Sequence, residues 1–187
     1  MLLESQKKEI IDFARSQVSG NDGLHRMGHL EETAREALRL AAAENADSDA
    51  LWIAAMLHDI CKSKDGDHGA EGSKLARLFL SSIRISEELA DKACDAIYFH
   101  NKDFTDGPIE RKILWDADKL PIMKVDGFKE RMLPYWIETL GEKSGVKKSI
   151  EEYHFYRARF HTETAKNEIE ANSAAMQRCI NNLPHED

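Results

Sequence analysis

Apolar residues recur along most of this chain at intervals of three and four positions, and few stretches alternate apolar with polar residues. Such intervals place residues on one face of an α-helix, so we expect an all-α fold. Breaks at Gly20 to Gly23 and at Gly141 to Gly145 interrupt the periodicity. The pattern predicts helices over about 2–18, 25–45, 50–57, 70–82, 86–101 and 108–120, and two or three more between 124 and 183, the last over about 162–182 and mostly polar.

The most apolar segment lies at 50–57 and reads Ala-Leu-Trp-Ile-Ala-Ala-Met-Leu. A helix that is apolar on every side is normally buried, so we expect this one at the centre of the fold. The polar residues of 47–49 offer side chains that can cap its first turn. His58 and Asp59 follow the segment directly.

Composition limits the class of protein. The 187 residues are 42% hydrophobic and 32% charged, which predicts one soluble globular domain over 1–187. The net charge of -8 argues against a nucleic-acid coat or an anionic membrane surface as partner, although a local basic pocket for phosphate remains compatible with it. No apolar run fits a signal peptide or the roughly 20 residues that cross a bilayer. The three cysteines are odd in number and widely spaced, so we expect reduced thiols and a cytoplasmic protein without a membrane partner.

The pair His58-Asp59 at the end of the apolar segment needs a partner. An unpaired buried carboxylate costs several kcal/mol or becomes neutral. Three explanations fit: a bound divalent metal, a salt bridge to Lys62 or Lys64, or exposure at the end of the helix. Imidazoles and carboxylates are ordinary ligands of divalent metals, and a metal that activates water indicates a hydrolase.

Four further side chains each have two interpretations. His29 lies one helical turn after His25, which suits chelation, yet both lie off the apolar stripe and suit a solvated surface. His100 lies on an apolar helix face. It is either a core histidine hydrogen-bonded to a backbone carbonyl or a metal ligand. His68 is a solvated loop residue or a ligand. Asp118 is one of two aspartates in its helix that could face inward.

The order of His29, His58-Asp59 and Asp118 resembles the defining pattern of the HD-domain superfamily, which is a histidine, an adjacent His-Asp pair and a distant aspartate. One departure is Thr33, where an aliphatic residue such as Val is common. The resemblance covers most of the chain and is closest to stand-alone HD hydrolases. Further similar segments are HRMGHL at 25–30, AAMLHDICK at 54–62, HGAEGS at 68–73, AIYFH at 96–100, DADKL at 116–120 and HTETAK at 161–166.

The resemblance implies an HD-domain helical bundle around a central buried metal site, with its core over about 20–125 and C-terminal helices over about 124–183. His68 and His100 match the positions that hold a second ion in some members, with Asp59 bridging the two. The donor set suits Mn, Mg, Fe, Co, Ni or Zn, as one or two ions. The implied ligands of the first divalent ion are His29, His58, Asp59 and Asp118.

For function, the resemblance implies a phosphohydrolase that cleaves a phosphomonoester or phosphodiester, with a nucleotide as the substrate class, by metal-activated water. Asp59 and Lys62 are the expected catalytic residues, although Lys62 equally fits a solvated loop lysine. A di-iron oxygenase of the superfamily, a sensor that binds metal and nucleotide without turnover, and a purely structural bundle are the alternatives. The expected substrate contacts are His25, Arg26, Lys62 and Lys119.

The expected partner is therefore a small phosphorylated molecule. Whether the protein forms a homo-oligomer stays open at this stage. Tyr135, Trp136 and the pair Phe155-Tyr156 fit a lid, a dimer face or a small second core, and a core is the default for such residues. Cys61 is close to the expected site in sequence, and we interpret it as a packing residue.

Overall fold

The computed structural model describes residues 2–18, 27–62 and 66–183. Within these ranges the chain is helical and contains no β-strand, which confirms the all-α prediction. No helix in the described ranges combines the length and the apolar character needed to cross a bilayer. The helices are α1 (Glu4–Val18), α2 (Met27–Glu44), α3 (Ser48–Leu57), α4 (His68–Ser82), α5 (Glu87–Phe99), α6 (Ile109–Met123), α7 (Val125–Gly127), α8 (Leu133–Leu140), α9 (Glu142–Arg157) and α10 (Glu163–Asn181), with a π-helical segment, Phe128–Met132, between α7 and α8.

The chain divides into two compact units, Met1–Asp118 and Lys119–Asp187, and the boundary falls inside α6. The first unit holds α1 to α5 and most of α6, and the second holds the remaining helices. A single domain over 1–187 stays a prediction. The predicted break from Gly20 to Gly23 lies outside the described residues.

Helix α3 forms the centre of the first unit. Asp47 caps it, because its carboxylate accepts a hydrogen bond from the backbone N–H of Ala50 at 3.1 Å. From Ala50 to Leu57 every residue except Trp52 is buried, and α1, α2 and α5 pack against the helix. The apolar segment therefore lies where its sequence predicts, and it places the residues that follow it deep in the unit.

Helix α4 pairs with α5 and begins two residues earlier than predicted, at His68 rather than at about 70. Asp67 is the reason, since its carboxylate accepts from the backbone N–H of Ala70 at 3.1 Å and caps the helix. The start of α4 closely approaches the end of α5: a Cβ added to Gly69 would lie 2.9 Å from the carbonyl oxygen of Tyr98. Glycine at this position therefore lets the two helix ends meet.

In the second unit, the predicted break from Gly141 to Gly145 is only partly correct. Gly141 ends α8 with a φ of 80°, a conformation that glycine adopts without strain. Gly145 does not break the chain, because it is buried inside α9. A Cβ at Gly145 would lie 2.5 Å from the backbone N and Cα of Ile137 in α8. This glycine permits close helix packing instead of ending a helix.

The aromatic residues that suggested a small second core are not buried. Tyr135, Trp136 and Tyr156 are half-buried and Phe155 is exposed. The indole N–H of Trp136 donates to the Glu152 carboxylate at 3.0 Å, so α8 and α9 are joined there by a polar contact. The core interpretation of these four residues is therefore wrong.

Candidate functional site

Six side chains of the first unit collect where α3 and α5 end and α4 begins. All six were singled out from the sequence, and five of them lie at helix ends, where a side chain can leave the helix packing. They are His29 in the first turn of α2, His58 and Asp59 directly after α3, His68 at the start of α4, His100 directly after α5, and Asp118 in α6.

Four of these residues form the first cluster: His29, His58, Asp59 and Asp118. His29 Nε2 lies 3.1 Å from Asp118 Oδ1 and 3.1 Å from His58 Nε2. Asp59 Oδ2 lies 3.8 Å from His29 Nε2 and 3.6 Å from His58 Nε2. Asp116 is buried as well, but Asp118 is the aspartate of α6 whose oxygen approaches these histidines.

Asp59 also belongs to the second cluster, together with His68 and His100. Asp59 Oδ1 lies 3.3 Å from His100 Nε2 and 3.5 Å from His68 Nε2. The two imidazoles approach each other at 3.2 Å between their Nε2 atoms. Each oxygen of the Asp59 carboxylate thus faces a different pair of histidines.

Backbone hydrogen bonds fix two of the imidazole rings. His58 Nδ1 donates to the carbonyl oxygen of Ala55 at 2.8 Å, and His100 Nδ1 donates to that of Ile97 at 2.7 Å. A carbonyl can only accept, so the proton of each neutral ring is on Nδ1 and the Nε2 lone pair faces its cluster. His100 therefore matches both of its sequence interpretations, as a core histidine bonded to the backbone and as a side chain able to ligate.

The charges of the site follow from burial and from mutual contact. Burial alone lowers the pKa of His58, but the carboxylates of Asp59 and Asp118 outweigh it and hold that pKa above its ordinary value. Burial raises the pKa of Asp59, yet His58 and His100 outweigh burial and hold that pKa well below its usual range. Burial lowers the pKa of His100, and the attraction of Asp59 offsets this only in part. Asp59 is therefore ionised in the folded protein.

The structure describes two of the four predicted substrate contacts, Lys62 and Lys119. Lys62 is half-buried, and its Nζ lies 3.4 Å from His68 Nε2, at the second cluster. Lys119 belongs to the second unit, where its Nζ lies 5.7 Å from the centroid of the Tyr156 ring. His25 and Arg26 lie outside the described residues.

Sequence reasoning missed Asn101. Its side-chain Nδ2 lies 3.3 Å from His68 Nδ1, on the opposite edge of the ring from the cluster. The only signal in the sequence is that Asn101 directly follows His100. The contact itself depends on the close approach of α4 to α5, which periodicity does not predict.

The donor atoms fit divalent cations. Two imidazole nitrogens at 3.1 or 3.2 Å need a proton or a cation between them, because their lone pairs otherwise face each other. His29, His58 and Asp59 could hold one ion, to which Asp118 adds a second carboxylate, and Asp59, His68 and His100 could hold another. Mixed imidazole and carboxylate donors of this kind suit Mn, Fe, Co, Ni and Zn, and with added water Mg.

Comparisons with known proteins identify the family and the fold. A sequence model of the HD domain family matches residues 26–123. An HD-superfamily hydrolase from Bacillus thuringiensis is similar in fold, with a TM-score of 0.76 and 20% identity over 95% of this chain and 94% of the other. Bacillus subtilis YpgQ in complex with ADP has a TM-score of 0.70 and 22% identity over 95% of this chain and 92% of the other. A predicted HD superfamily hydrolase from an uncultured Thermotogales bacterium has a TM-score of 0.68 and 23% identity over 93% of this chain and 88% of the other.

Proposed function

We propose that this chain, which belongs to the HD domain family, is a metal-dependent phosphohydrolase that cleaves a phosphomonoester or phosphodiester of a nucleotide. The observation that carries the proposal is the position of Asp59, whose two oxygens each face a different pair of histidines. A divalent ion bound there would lower the pKa of a water molecule and polarise a phosphoryl oxygen.

The residues of the chain have separate tasks in this proposal. His29, His58, Asp59 and Asp118 would hold one ion, and Asp59, His68 and His100 would hold a second. Asp59 is suited to this because it is 3% exposed and ionised, so little solvent competes for its oxygens. The hydrogen bonds behind His58 and His100 keep both Nε2 atoms directed at the clusters.

Lys62 supports a phosphate ester as the substrate. Its ammonium group lies at the second cluster and is only half-buried, so it can reach a phosphate oxygen of a molecule bound there. We propose His25, Arg26 and Lys119 as further contacts to substrate, since cationic groups neutralise phosphate charge. One structure of similar fold is a complex with ADP, and for this reason we place a nucleotide first among phosphate esters.

The test is hydrolysis by the purified, metal-stripped chain after addition of Mn, Mg, Co or Ni. The substrates are p-nitrophenyl phosphate, its bis ester and a panel of nucleoside mono-, di- and triphosphates. We expect metal-dependent release of phosphate or of a nucleotide. Removal of a group that hydrogen-bonds to a metal ligand typically lowers activity by roughly 10–100-fold. His58→Ala and Asp59→Asn remove ligands themselves, so each should lower kcat/KM by more than that.

Lys62→Gln has a matched control in Lys74→Gln, because Lys74 is an exposed lysine of α4 that pairs only with Glu71 among the contacts of the described residues. Lys62→Gln should raise KM or lower kcat, whereas Lys74→Gln should change neither. Activity that is absent with every metal, or that survives in Asp59→Asn, contradicts the proposal. Bound iron with oxygen consumption would instead indicate an oxygenase, and nucleotide binding without product would indicate a sensor.

A further inference from the structure

A groove on the surface of the first unit lies where α1, α2 and α3 meet. Its volume is about 230 Å³. Two of the described residues that line it are charged, Glu31 and Arg35 of α2. None of the six cluster residues lines the groove, so the proposed metal chemistry gives it no task. The apolar side chains that line it are Ile11 of α1, Ala34 and Leu38 of α2, and Trp52 and Met56 of α3.

Apolar surface reaches the exterior of the first unit in this groove. Trp52 is the only residue between Ala50 and Leu57 that is not buried, and Leu38 is 37% exposed. Large aromatic side chains that are partly open to solvent are enriched in the surfaces by which proteins associate. The open side of the groove is therefore suited to contact with another protein chain.

The two charged residues at the groove have opposite signs and are both exposed. Glu31 and Arg35 lie one turn apart on α2, a spacing at which opposite charges often pair within a helix. Neither of them makes an ion pair or a hydrogen bond with any described residue. On α1, by contrast, Asp12 pairs with Lys8 at 2.8 Å and with Arg15 at 3.4 Å. Glu31 and Arg35 therefore remain available to a partner that presents one base and one acid beside an apolar side chain.

We propose that this partner is the same face of a second copy of the chain, so that the protein forms a two-fold symmetric dimer through α2. A two-fold axis that passes between Glu31 and Arg35 brings Glu31 of each copy to Arg35 of the other. The opposite charges are thus matched twice. The exposed Leu38 of each copy is the apolar side chain that the groove of the other copy receives.

The charge pattern favours a second copy over a different protein. A different protein would need an acid and a base in the matching order on either side of an apolar side chain, whereas a second copy carries that arrangement by symmetry. One helix and one groove form a small interface, so we expect a weak dimer in equilibrium with the monomer. The inference does not depend on the proposed function.

The test measures the mass of the full chain by analytical ultracentrifugation at concentrations from roughly 1 µM to 1 mM, where weak dimers of small interfaces are detected. We expect the wild type to pass from monomer to dimer. Glu31→Arg and Arg35→Glu each place like charges opposite each other and should weaken the dimer by about 10-fold or more. Leu38→Gln should weaken it by a similar factor, because it removes the apolar contact.

Glu9→Arg is the matched control for Glu31→Arg, since it makes the same change of charge at an exposed residue that does not line the groove. Glu9 lies two residues before Ile11 and therefore on the opposite side of α1. We expect the dimer to be unchanged in this variant. Circular dichroism verifies that every variant keeps the helical content of the wild type, as substitution of exposed side chains predicts.

A mixture of the two charge variants tests the symmetry directly. Glu31→Arg presents two bases and Arg35→Glu presents two acids, so each variant alone repels its own copies while the two together attract each other. We expect the mixture to recover the dimer. A mixture of Glu9→Arg with Arg35→Glu has the same total charge and should not recover it.

Three results overturn the inference: a wild type that is monomeric at every concentration, a dimer that is as strong in Glu31→Arg as in the wild type, and a charge-variant mixture that does not associate. A monomer whose groove binds free apolar amino acids would make the groove a site for small molecules instead. Because none of these measurements uses a metal or a phosphate ester, the proposed function stands or falls separately.

Discussion

At the residue scale, the hydroxyl group of Thr33 is an unusual feature of α2. Thr33 is completely buried, and its Oγ1 has no hydrogen-bond partner among the described residues. A buried hydroxyl without a partner costs about 1–3 kcal/mol. An aliphatic residue is common at this position in the family that the sequence resembles, and the structure gives a physical reason for that preference.

We therefore expect Thr33→Val to raise the free energy of unfolding by about 1 kcal/mol, because Val has nearly the same shape and both residues are β-branched. Urea or guanidinium denaturation measures the difference. Thr33→Ser is the control: it keeps the hydroxyl and loses a methyl group, which should lower the free energy by about 0.8 kcal/mol. A Val variant less stable than the wild type would mean that the hydroxyl has a stabilising contact.

Single residues also mark the limit of what the sequence could predict about the site. The six side chains of the two clusters were all identified, because a histidine and an aspartate beside the apolar segment at 50–57 need an explanation and because their order resembles a known pattern. Position on the apolar face of a helix did not predict which histidines belong to the site. His29 lies off the apolar face of α2, and its Nε2 nevertheless contacts the Asp118 carboxylate. Asn101 could not be identified at all, because its contact with His68 links two helices.

At the scale of elements, periodicity predicted the helices within a few residues and glycines were the main source of error. Gly141 and Gly145 looked alike in the sequence, yet one ends α8 and the other lies inside α9. The difference is the neighbouring backbone of Ile137, which the sequence does not reveal. Helix α6 likewise continues past its predicted end to Met123 despite Pro121, since the proline lies in the last turn and removes only one backbone hydrogen bond.

The two roles of glycine make a testable pair. Gly145→Ala should destabilise the protein by about 1–3 kcal/mol, because its Cβ would meet the backbone of α8 and the helices must separate. Gly28→Ala should stabilise it by roughly 0.5–1 kcal/mol, since Gly28 is an exposed residue of α2 and a Cβ there meets no atom of the described residues within 4 Å. Thermal melting of both variants measures the two shifts. A Gly145→Ala protein at least as stable as the wild type would contradict the close packing of α8 against α9.

At the scale of the whole molecule, the candidate site unites residues from position 29 to position 118, and therefore most of the first unit. An ion bound there would connect α2, α6 and the ends of α3, α4 and α5, and would add to their packing and to polar contacts such as the Arg111–Asp95 ion pair between α6 and α5. The sequence predicted the set of helices, and the resemblance implied a core over about 20–125 followed by C-terminal helices. The boundary between the two compact units lies within the continuous helix α6.

Divalent ions should therefore stabilise the first unit more than the second. A ligand at 100 times its Kd adds about 2.7 kcal/mol to the stability of the form that binds it. We expect a higher Tm with Mn²⁺ than with a chelator. Mn²⁺ should also slow amide hydrogen exchange more in α2 to α5 than in α9 and α10. His58→Ala should lose both effects. Protection spread evenly over all helices, or no protection, would contradict a site confined to the first unit.

The three thiols of the chain can serve as reporters of local opening. Cys61, Cys94 and Cys179 are all buried, the first just after α3, the second in α5 and the third in α10. An alkylating reagent reaches such a thiol only while the surrounding helices have moved apart. The labelling rate of Cys94 thus measures how often the first unit opens, and that of Cys179 does the same for the second. Mass spectrometry of the unaltered protein can follow both rates in one reaction.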